Sequence, residues 1–454
     1  MFSTADTIVA IATPPGRGGL GVVRLSGPEA LSIAQALAGR PTPFRPRYAT
    51  FCRIGALAGA NLGDEVVITI FPAPRSYTGE DVAEVSAHGS PVVLASILKD
   101  AMSNGARLAE PGEFTLRGFL NGKRDLIQAE AVADLIDAVT PLQARAAFDQ
   151  LDGTLTDAIA SIEQQLFDLV ARLEASLDFP DEGYHFIDPS ELSDALGAVA
   201  GRIGALLVRA SAGRVIREGA LVILVGAPNA GKSSLFNLLL NSNRAIVNAT
   251  PGTTRDLLTA RADIDGLMIE LVDTAGLRET KNEVEQEGVA RTEESLRVAD
   301  LAIVVLDGSR ELTADDHRAL RCTEHRARLV VVNKVDLPLG LPEIERPPGA
   351  IPISVRTGEG VTVLASSVSS ALGHAPTLGE TPRVTNIRHM RLLEQSQGAL
   401  HRGLEALADS RGALPEEFLL VDIQEAIERL QEVTGRRTSD DVLRHIFERF
   451  CIGK

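Results

Sequence analysis

The sequence predicts a multidomain chain that combines α/β domains with an all-helical domain. The 454 residues exceed one small domain, and at roughly 150 residues per domain they suggest about three. In two separate stretches, short apolar runs bounded by glycine and proline alternate with helical patterns. Between and after those stretches, apolar residues recur only at helical spacing.

Composition predicts a globular protein, because 44% of the residues are hydrophobic and 23% are charged. Lys and Arg total 45 and Asp and Glu total 61, so the formal net charge is −16. An acidic chain is a poor general binder of phosphate backbones. With no Trp and only three Tyr, broad base-stacking platforms are not expected either. Any nucleic-acid role therefore needs a local basic patch or a partner that supplies one.

Localisation is predicted from what the sequence lacks. No apolar run approaches the roughly 18–20 residues of a membrane span, so no membrane association is expected. The segment Met1–Thr13 has no basic region of a signal peptide. Cys52, Cys322 and Cys451 lie far apart and form no metal-binding spacing. These features predict a reduced, cytoplasmic protein.

Residues 1–118 are predicted to form a small α/β domain. Its expected strands and one helix are Thr7–Ala12, Gly21–Leu25, Glu65–Phe71, Val82–Ser86 and the helix Pro91–Met102. The segment Gly16–Gly21 fits G-x-G-x-x-G literally, but a dinucleotide fingerprint needs a helix directly after it. A strand is expected there instead, so we exclude that site.

Residues 119–217 and 376–454 are predicted to be helical, with Leu166, Leu173 and Ile427 on apolar faces. Residues 218–375 change period, because strand-like apolar runs such as Leu221–Val225 alternate with helices, as in a parallel sheet. The simplest interpretation is one helical domain that is split in sequence by an inserted α/β domain. Four independent segments in a row remain the alternative.

The segment Gly226–Ser233 (GAPNAGKS) fits the phosphate-binding pattern G-x-x-x-x-G-K-[ST] in the required context. An expected strand precedes it and an expected helix, Ser233–Leu240, follows. Its backbone N–H groups and the helix N-terminus attract phosphate oxygens. Lys232 then reaches the β- and γ-phosphates, and the Ser233 hydroxyl binds Mg²⁺.

Three further motifs follow in the order that a GTP site requires. Asp273-Thr-Ala-Gly276 follows the apolar run Met268–Val272, which places Asp273 at a strand end near Mg²⁺. Asn333-Lys-Val-Asp336 follows another apolar run, and Asp336 can accept from the two N–H groups of a guanine edge. Ser354-Val-Arg356 fits a loop that closes over the base. Together these motifs resemble the Ras-like P-loop GTPase domain and predict GTP rather than ATP.

The residue after Gly276 is Leu277, where Ras-type proteins have the Gln that orients the hydrolytic water. An apolar side chain cannot hold water, so another polar group must do so. The polar candidates nearby are Arg278, Glu279, Glu283, Glu285 and Glu287. Most of them are expected to be solvated charges.

Further motifs resemble the MnmE/TrmE family of tRNA-modifying GTPases along essentially the whole chain. They are Gly252–Asp256 (GTTRD), Asp273–Glu279 (DTAGLRE), Thr13–Gly19 (TPPGRGG), Tyr77–Asp81 (YTGED), Glu110–Phe114 (EPGEF), Phe119–Lys123 (FLNGK), Gln128–Val132 (QAEAV) and Phe450–Lys454 (FCIGK). By this resemblance, the nucleotide-binding residues are Asn229, Ala230, Gly231, Lys232, Ser233, Ser234, Asn248, Ala249, Thr250, Pro251, Gly252, Thr253, Thr254, Asp273, Thr274, Ala275, Gly276, Asn333, Lys334, Asp336, Ser354, Val355 and Arg356.

The resemblance also implies the ions and the catalytic group. Asn229 would bind K⁺ with oxygens of Asn248, Thr250 and Thr253, and Thr254 would join Ser233 on Mg²⁺. The K⁺ ion would supply the positive charge that an arginine finger supplies elsewhere. Glu285 would orient the water. The GTPase domains of this family pair in the triphosphate state, so a homodimer is implied.

The N-terminal domain resembles a folate-binding fold that mediates homodimerisation. By this resemblance, Arg24, Glu84 and Lys123, with the C-terminal Lys454, would contact 5-formyl- or 5,10-methylene-tetrahydrofolate. Cys451 keeps two interpretations: a thiol needed near the folate, or a core thiol. A prenylated C-terminal cysteine is excluded, because Gly453 is not aliphatic.

Two functions remain open at this point. The resemblance implies an enzyme that hydrolyses GTP and acts on tRNA with a flavoprotein of the MnmG/GidA type, in a heterotetramer. The partner would carry FAD and use NADH. The reaction would add an aminomethyl-type or carboxymethylaminomethyl group at C5 of the wobble uridine (position 34). The one-carbon unit of this group would come from the folate. The alternative is a regulatory or ribosome-assembly GTPase that only binds partners. The folate-like domain and the Phe450–Lys454 tail favour the enzyme, since a pure switch needs neither.

Overall fold

The computed structural model describes residues 5–55, 63–178, 188–208, 210–242, 245–246, 258–273, 296–373, 383–409 and 416–454. These residues form two compact units. One unit comprises Met1–Ala133, Leu151–Glu163 and Gln424–Lys454. The other comprises Asp134–Gln150 and Gln164–Ile423. The predicted domain boundaries at 118, 217 and 375 stay predictions.

The first unit is built on a mixed sheet with the strand order β3-β4-β5-β2-β1-β6. All neighbouring pairs are antiparallel except β1 and β6. The four predicted strands are confirmed, while β3 and β6 were not predicted from sequence. The strands are β1 (Ile8–Ile11), β2 (Gly18–Ser26), β3 (Thr50–Ile54), β4 (Asp64–Phe71), β5 (Val82–Gly89) and β6 (Arg107–Leu108).

Helices α1 (Ala30–Leu37) and α2 (Pro91–Ser103) cover one face of this sheet. The predicted helix over 91–102 is thereby confirmed. Gly21 lies under α2, where a Cβ atom would stand 2.4 Å from Cδ1 of Leu94. The glycine therefore permits close packing of the helix on the strand.

A buried arginine organises the next element of this unit, the helix α3 (Glu113–Leu120). The Arg117 side chain is 1% exposed and pairs with Asp6, Glu80 and Glu113. A buried guanidinium is costly unless its N–H donors are hydrogen-bonded. Its pairing with these three carboxylates therefore fixes Asp6, just before β1, and the turn at Glu80 relative to α3. The turn follows Tyr77, which lies in the candidate site described below.

The helical pattern predicted for the middle and the end of the chain is confirmed. Among the described residues, the helices between α3 and the inserted domain are α4 (Leu126–Asp137), α5 (Pro141–Leu151), α6 (Thr154–Asp178), α7 (Pro189–Val208) and α8 (Ala210–Glu218). The helices after it are α12 (Ile387–Asp409), α13 (Glu416–Thr434) and α14 (Asp440–Phe447), numbered after α9 to α11 of the inserted domain.

The run Pro189–Glu218 is long and apolar enough to cross a membrane by length and composition alone. Its first part, α7, packs along α12, and Gln397 donates a hydrogen bond to the carbonyl of Ala200. The buried residues of α7 include Leu196 and Ile203. A core helix of a folded domain has the same properties, because its apolar face is covered by protein.

The inserted domain has a seven-stranded sheet with the order β13-β12-β11-β7-β10-β9-β8. The five strands from β13 to β10 are parallel, as predicted, and β8 and β9 are antiparallel additions. The elements are β7 (Ala220–Val225), α9 (Lys232–Ser242), β8 (Ala245–Ile246), β9 (Leu258–Ile264), β10 (Leu267–Asp273), β11 (Leu301–Asp307), α10 (Ala314–Cys322), β12 (Arg328–Asn333), β13 (Ile351–Pro352) and α11 (Val361–Ala371).

The central strands are buried on both faces, and every residue of β11 is buried. Full burial of one Val or Leu side chain stabilises the fold by about 1.5–3 kcal/mol, so continuous apolar runs mark these strands. The polar residues Asp273, Asp307 and Asn333 stand at the ends of β10, β11 and β12. The sheet therefore collects polar groups at the carboxyl edge of its parallel strands, where ligands of such folds bind.

Candidate functional site

A cavity of about 800 Å³ lies at the carboxyl edge of the parallel strands. Most of its lining was predicted from sequence, while Pro228 and Leu337 were not. The predicted lining residues are Asn229, Gly231, Lys232, Ser233, Ser234, Asn333, Lys334, Asp336, Val355 and Arg356. The structure thus brings the first and the last two motifs of the sequence to one site.

The loop between β7 and α9 is shaped by two glycines. A Cβ atom on Gly226 would stand 2.3 Å from the carbonyl oxygen of Val305, and one on Gly231 would stand 2.2 Å from Nδ2 of Asn333. Both positions also have positive φ angles, 154° and 103°, which disfavour any side chain. Lys232 closes the loop, because its amine donates to the carbonyls of Gly226 (2.9 Å) and Ala227 (2.8 Å).

Asn333 joins the phosphate loop to the loop after β13. Its Nδ2 donates to the carbonyl of Ala230 at 2.9 Å, and its Oδ1 accepts from the backbone N–H of Val355 at 3.2 Å. Ala230 itself is fully buried. The amide of Asn333 is therefore engaged by protein on both sides, and Asp336 is the group available to a base edge.

Asp336 is held at the cavity by its neighbours. The hydroxyl of Ser354 donates to its Oδ1 at 2.7 Å, and a guanidinium nitrogen of Arg356 lies 3.8 Å from its Oδ2. Ser354 is fully buried, whereas the Arg356 side chain is 82% exposed. A carboxylate fixed in this way can accept from two adjacent N–H donors, the pattern of a guanine edge.

Two of the residues predicted at or near Mg²⁺, Ser233 and Asp273, lie within the described part of the chain. Ser233 lines the cavity and Asp273, 1% exposed, ends β10 beside β7. Mg²⁺ is commonly held by one or two protein groups together with phosphates and waters, so this donor set suits it. Among the described residues, no cluster of three or more His, Cys, Asp or Glu side chains could hold a metal.

Several predicted site residues lie outside the described residues. They are Asn248, Ala249, Thr250, Pro251, Gly252, Thr253, Thr254, Thr274, Ala275, Gly276 and Glu285. Of the four predicted potassium ligands, Asn229 alone is described. It lines the cavity with a left-handed φ of 59°, a conformation that Asn tolerates better than most residues.

A second polar cluster lies in the first unit, around Arg24 on β2. The guanidinium of Arg24 pairs with Glu84 at 2.8 Å and donates to the carbonyl of Gly453 at 3.4 Å. Arg24 and Glu84 are opposite each other in the antiparallel β2–β5 pair. The structure therefore brings two predicted folate residues to the C-terminal tail.

Lys454 belongs to the same cluster. Burial lowers its pKa, and the nearby charges of Arg24 and Arg124 lower it further, while Glu84 and Cys451 act in the opposite direction. An amine whose pKa is lowered by two nearby guanidinium groups lies where positive groups outnumber carboxylates. Such a cluster favours an anionic ligand.

The remaining predicted folate residue, Lys123, stays a prediction. Its side chain is exposed and donates to the carbonyl of Pro74 at 2.9 Å. Sequence reasoning missed its neighbour Arg124, whose guanidinium lies 4.4 Å from the ring centroid of Tyr77. Arg24 lies 5.3 Å from the same centroid. Arg124 directly follows the FLNGK motif and Tyr77 begins the YTGED motif, so the sequence could have drawn attention to both residues. It could not have shown that they are in contact.

The C-terminal tail is fastened by backbone contacts. Ile452 forms a bridge with Pro111, and the N–H of Gly112 donates to the carbonyl of Cys451 at 3.4 Å. The Cys451 side chain is exposed. The interpretation of Cys451 as a core thiol is therefore wrong, because its side chain is exposed. The tail is held in place by backbone contacts and not by this thiol.

Comparison with known proteins gives matches over nearly the whole chain. The model of the GTP-binding protein TrmE N-terminus matches residues 7–123, and that of the MnmE helical domain matches residues 126–451. The chain is 45% identical over 455 residues to the tRNA modification GTPase MnmE of Azoarcus sp. (strain BH72), covering 99% of this chain and 98% of that protein. It is 41% identical over 453 residues to the protein of that name from Koribacter versatilis (strain Ellin345), covering 99% of each.

Solved structures match a smaller part of the chain. The G domain of the Thermotoga maritima FeoB iron transporter is 26% identical and covers 34% of this chain and 98% of its own, with a TM-score of 0.25. Aquifex aeolicus Era bound to GDP and AlF4⁻ is 22% identical and covers 40% of this chain and 66% of its own, with a TM-score of 0.27.

Proposed function

Because this chain belongs to the MnmE family, we propose that it hydrolyses GTP as part of tRNA modification. The main observation behind this proposal is the cavity of about 800 Å³ that both Lys232 and Asp336 line. Lys232 suits the phosphates and Asp336 suits the guanine edge. Ser233, with Asp273 at the end of β10, would hold Mg²⁺, which supplies charge neutralisation at the phosphates. Both full-length relatives described above are named as tRNA modification GTPases.

The proposal extends to a folate-dependent step at the first unit. Arg24, Glu84 and Lys454 lie together there, and Arg124 adds a cation that sequence reasoning did not include. The carboxylates of a tetrahydrofolate suit these cations, and a single carboxylate such as Glu84 suits the N–H groups of a pterin edge. Cys451, exposed on the adjacent tail, is placed in this proposal at the site of the one-carbon unit.

The partners follow from the same proposal. A homodimer would bind a flavoprotein of the MnmG/GidA type that carries FAD and uses NADH, in a heterotetramer. The product would be an aminomethyl-type group at C5 of the wobble uridine of certain tRNAs. The net charge of −16 supports a division of labour in which the partner binds much of the tRNA. A cytoplasmic location belongs to this proposal, since tRNA is modified there.

Mass analysis of wobble uridines tests the proposed function. In cells lacking the gene, we expect the C5-modified uridine to disappear from tRNA, and the parent gene to restore it. Cells that carry Arg24→Ala should retain GTP hydrolysis and lose the modification. Unchanged wobble uridine together with a defect in ribosomal subunits would instead support the regulatory or ribosome-assembly GTPase.

A further inference from the structure

Asp307 is a buried carboxylate at the end of β11, directly beside Asn333 of the neighbouring parallel strand. Its Oδ2 accepts a hydrogen bond from the ammonium of Lys334 at 2.6 Å. Its Oδ1 accepts from the backbone N–H of Ser309 at 3.0 Å and from the Ser309 hydroxyl at 2.6 Å. Both oxygens are therefore engaged, and the carboxylate has one fixed orientation.

The charge of Asp307 is maintained despite its burial. Burial alone raises the pKa of this carboxyl group, but the hydrogen bonds from Lys334 and Ser309 outweigh it, and the pKa lies below its usual value. A carboxylate that accepts several hydrogen bonds is stabilised in its ionised form. The contact with Lys334 is therefore an ion pair at neutral pH.

Lys334 connects this ion pair to the nucleotide cavity. It lines the cavity, as does Asp336 two residues later, whereas Asp307 does not. Its backbone has a left-handed φ of 67°, an uncommon conformation for a residue with a long side chain. The four-carbon stem of Lys334 therefore runs from the cavity wall to Asp307, with the ammonium group anchored at the far end.

We propose that Asp307 is a positioning residue for the guanine nucleotide, which holds the stem of Lys334 as a flat apolar support for the face of the purine. A lysine stem readily covers apolar surface while its charged end is held elsewhere. An unanchored lysine has many rotamers, and binding a base would have to restrict them. Asp307 makes that restriction before the nucleotide arrives. This role differs from that of Asp336, which faces the edge of the base.

Asp316 provides a matched control, because it is a second buried carboxylate beside the same arginine. Arg310 lies 2.9 Å from Asp316 and 3.7 Å from Asp307. Asp316 caps the first turn of α10, where it accepts from the N–H and the hydroxyl of Thr313. It does not line the nucleotide cavity. Loss of its charge should therefore affect α10 and not the nucleotide.

The test measures dissociation constants of GDP, IDP and a non-hydrolysable GTP analogue with the full-length chain. Asp307→Asn should weaken all three by a similar factor of about tenfold, the size expected for a hydrogen bond to a charged group. IDP lacks the 2-amino group of guanine, so an equal loss for IDP and GDP indicates a contact with the ring face. Single-turnover hydrolysis at saturating GTP should stay within twofold of the parent, as expected for uniform binding.

Two variants separate positioning from general stability. Asp316→Asn should lower the melting temperature and leave the three dissociation constants within twofold of the parent. Lys334→Met keeps an apolar stem without the ammonium group, so the double variant with Asp307→Asn should bind nucleotides as Lys334→Met does alone. Asp307→Glu, which keeps the negative charge, should bind more tightly than Asp307→Asn.

Several results would overturn the proposal. They are unchanged nucleotide affinity in Asp307→Asn, an equal loss of affinity in Asp316→Asn, or a fall in the saturated hydrolysis rate with unchanged affinity. If Asp307→Asn does not fold, Lys334→Met decides the question. It should weaken GDP and IDP equally, because its apolar stem is no longer anchored at Asp307, and parental affinity in this variant would exclude the positioning role of the Asp307–Lys334 contact.

Discussion

At the scale of single residues, selectivity for guanine depends on one carboxylate that its neighbours hold in place. Asp336 accepts from Ser354 through Oδ1, which leaves acceptor capacity for the two donors of guanine. Asp336→Asn should shift preference from GTP to XTP, because the amide can both donate and accept. Competition binding with GTP and XTP measures this. Retained GTP preference would show that Asp336 does not contact the base edge.

Glu285 is predicted to orient the hydrolytic water, although it lies outside the described residues. Leu277 cannot bind water, so a polar group after Gly276 must do so. Glu285→Ala should bind GTP normally and hydrolyse it about 10²–10⁴-fold more slowly, the usual cost of losing general-base-type assistance. Single-turnover hydrolysis gives the rate. A rate within a few-fold of the parent, with a lower melting temperature, would indicate that Glu285 only stabilises a helix start.

Lys454 predicts how the proposed folate site depends on pH. Its pKa is lowered in the free protein by burial and by Arg24 and Arg124. A bound carboxylate favours the charged amine, so binding should raise this pKa and take up protons. Affinity for 5-formyltetrahydrofolate should therefore fall as pH rises through the pKa of Lys454 in the free protein.

Calorimetry in two buffers of different ionisation enthalpy measures this proton uptake. Lys454→Arg is the control, because an arginine stays charged throughout, and its binding should be independent of pH in this range. Identical pH profiles for the parent and Lys454→Arg would contradict the prediction. No heat with the parent protein at any pH would argue against the folate site itself.

Residues that belong to sequence motifs were predictable one by one, but their partners were not. The motif residues Lys232 and Asp336 are found in the cavity, as their spacing indicated. The bond from Asn333 to Ala230 joins segments 103 residues apart. Arg124 approaches Tyr77 across 47 residues. Such contacts depend on strand register and helix packing, which a single sequence does not encode in local patterns.

At the scale of secondary structure, buried strands were predicted well and a polar hairpin was missed. Strand β9 pairs with β10 around the two-residue turn Asp265-Gly266, where both φ angles are positive. Asp-Gly between two strands is a strong hairpin signal. The strand escaped prediction because it carries Thr259 and Arg261 and lacks the continuous apolar run of its neighbours.

The C-terminal tail is another such element, and Gly453 fixes its path. A Cβ atom at this position would lie 2.5 Å from the carbonyl oxygen of Ile11, and φ is +99°. Gly453→Ala should therefore displace the tail with Lys454 and weaken folate binding at least tenfold, while GTP hydrolysis stays unchanged. Calorimetry and a GTPase assay measure the two activities.

Gly105→Ala is the matched control for that variant. Gly105 has a similar φ of +106°, and a Cβ atom there would meet nothing within 4 Å. It should lose stability by about 1–2 kcal/mol from backbone strain and keep its folate affinity. An equal loss of affinity in both variants would mean that strain, and not the position of the tail, accounts for the result.

At the scale of the whole molecule, the sequence order of the parts was predictable because periodicity changes abruptly at Ala220. Helices precede and follow an α/β block in the chain, as expected. The two compact units divide the chain differently, since each gathers segments that are distant in sequence. Periodicity reports the local type of structure, whereas the grouping of segments depends on contacts between them.

Potassium dependence is the prediction that concerns pairs of molecules. Asn229 lines the nucleotide cavity, and its side-chain oxygen is of the hard type that alkali cations accept. The sequence offers no evident arginine finger, and by the family resemblance K⁺ would supply the positive charge that such a finger supplies elsewhere. We expect hydrolysis to be much faster in K⁺ than in Na⁺ at equal ionic strength.

Pairing of the GTPase domains adds a second signature to this prediction. If a pair is needed to complete the K⁺ site, the rate per chain in K⁺ should fall when the protein is diluted until the homodimer dissociates, while the rate in Na⁺ stays low throughout. Asn229→Ala should remove the preference for K⁺ more than it weakens nucleotide binding, because the cation contributes mainly to charge that develops during hydrolysis. Equal rates in the two salts, or an unchanged rate per chain in protein diluted to monomers, would exclude a K⁺ site completed by pairing.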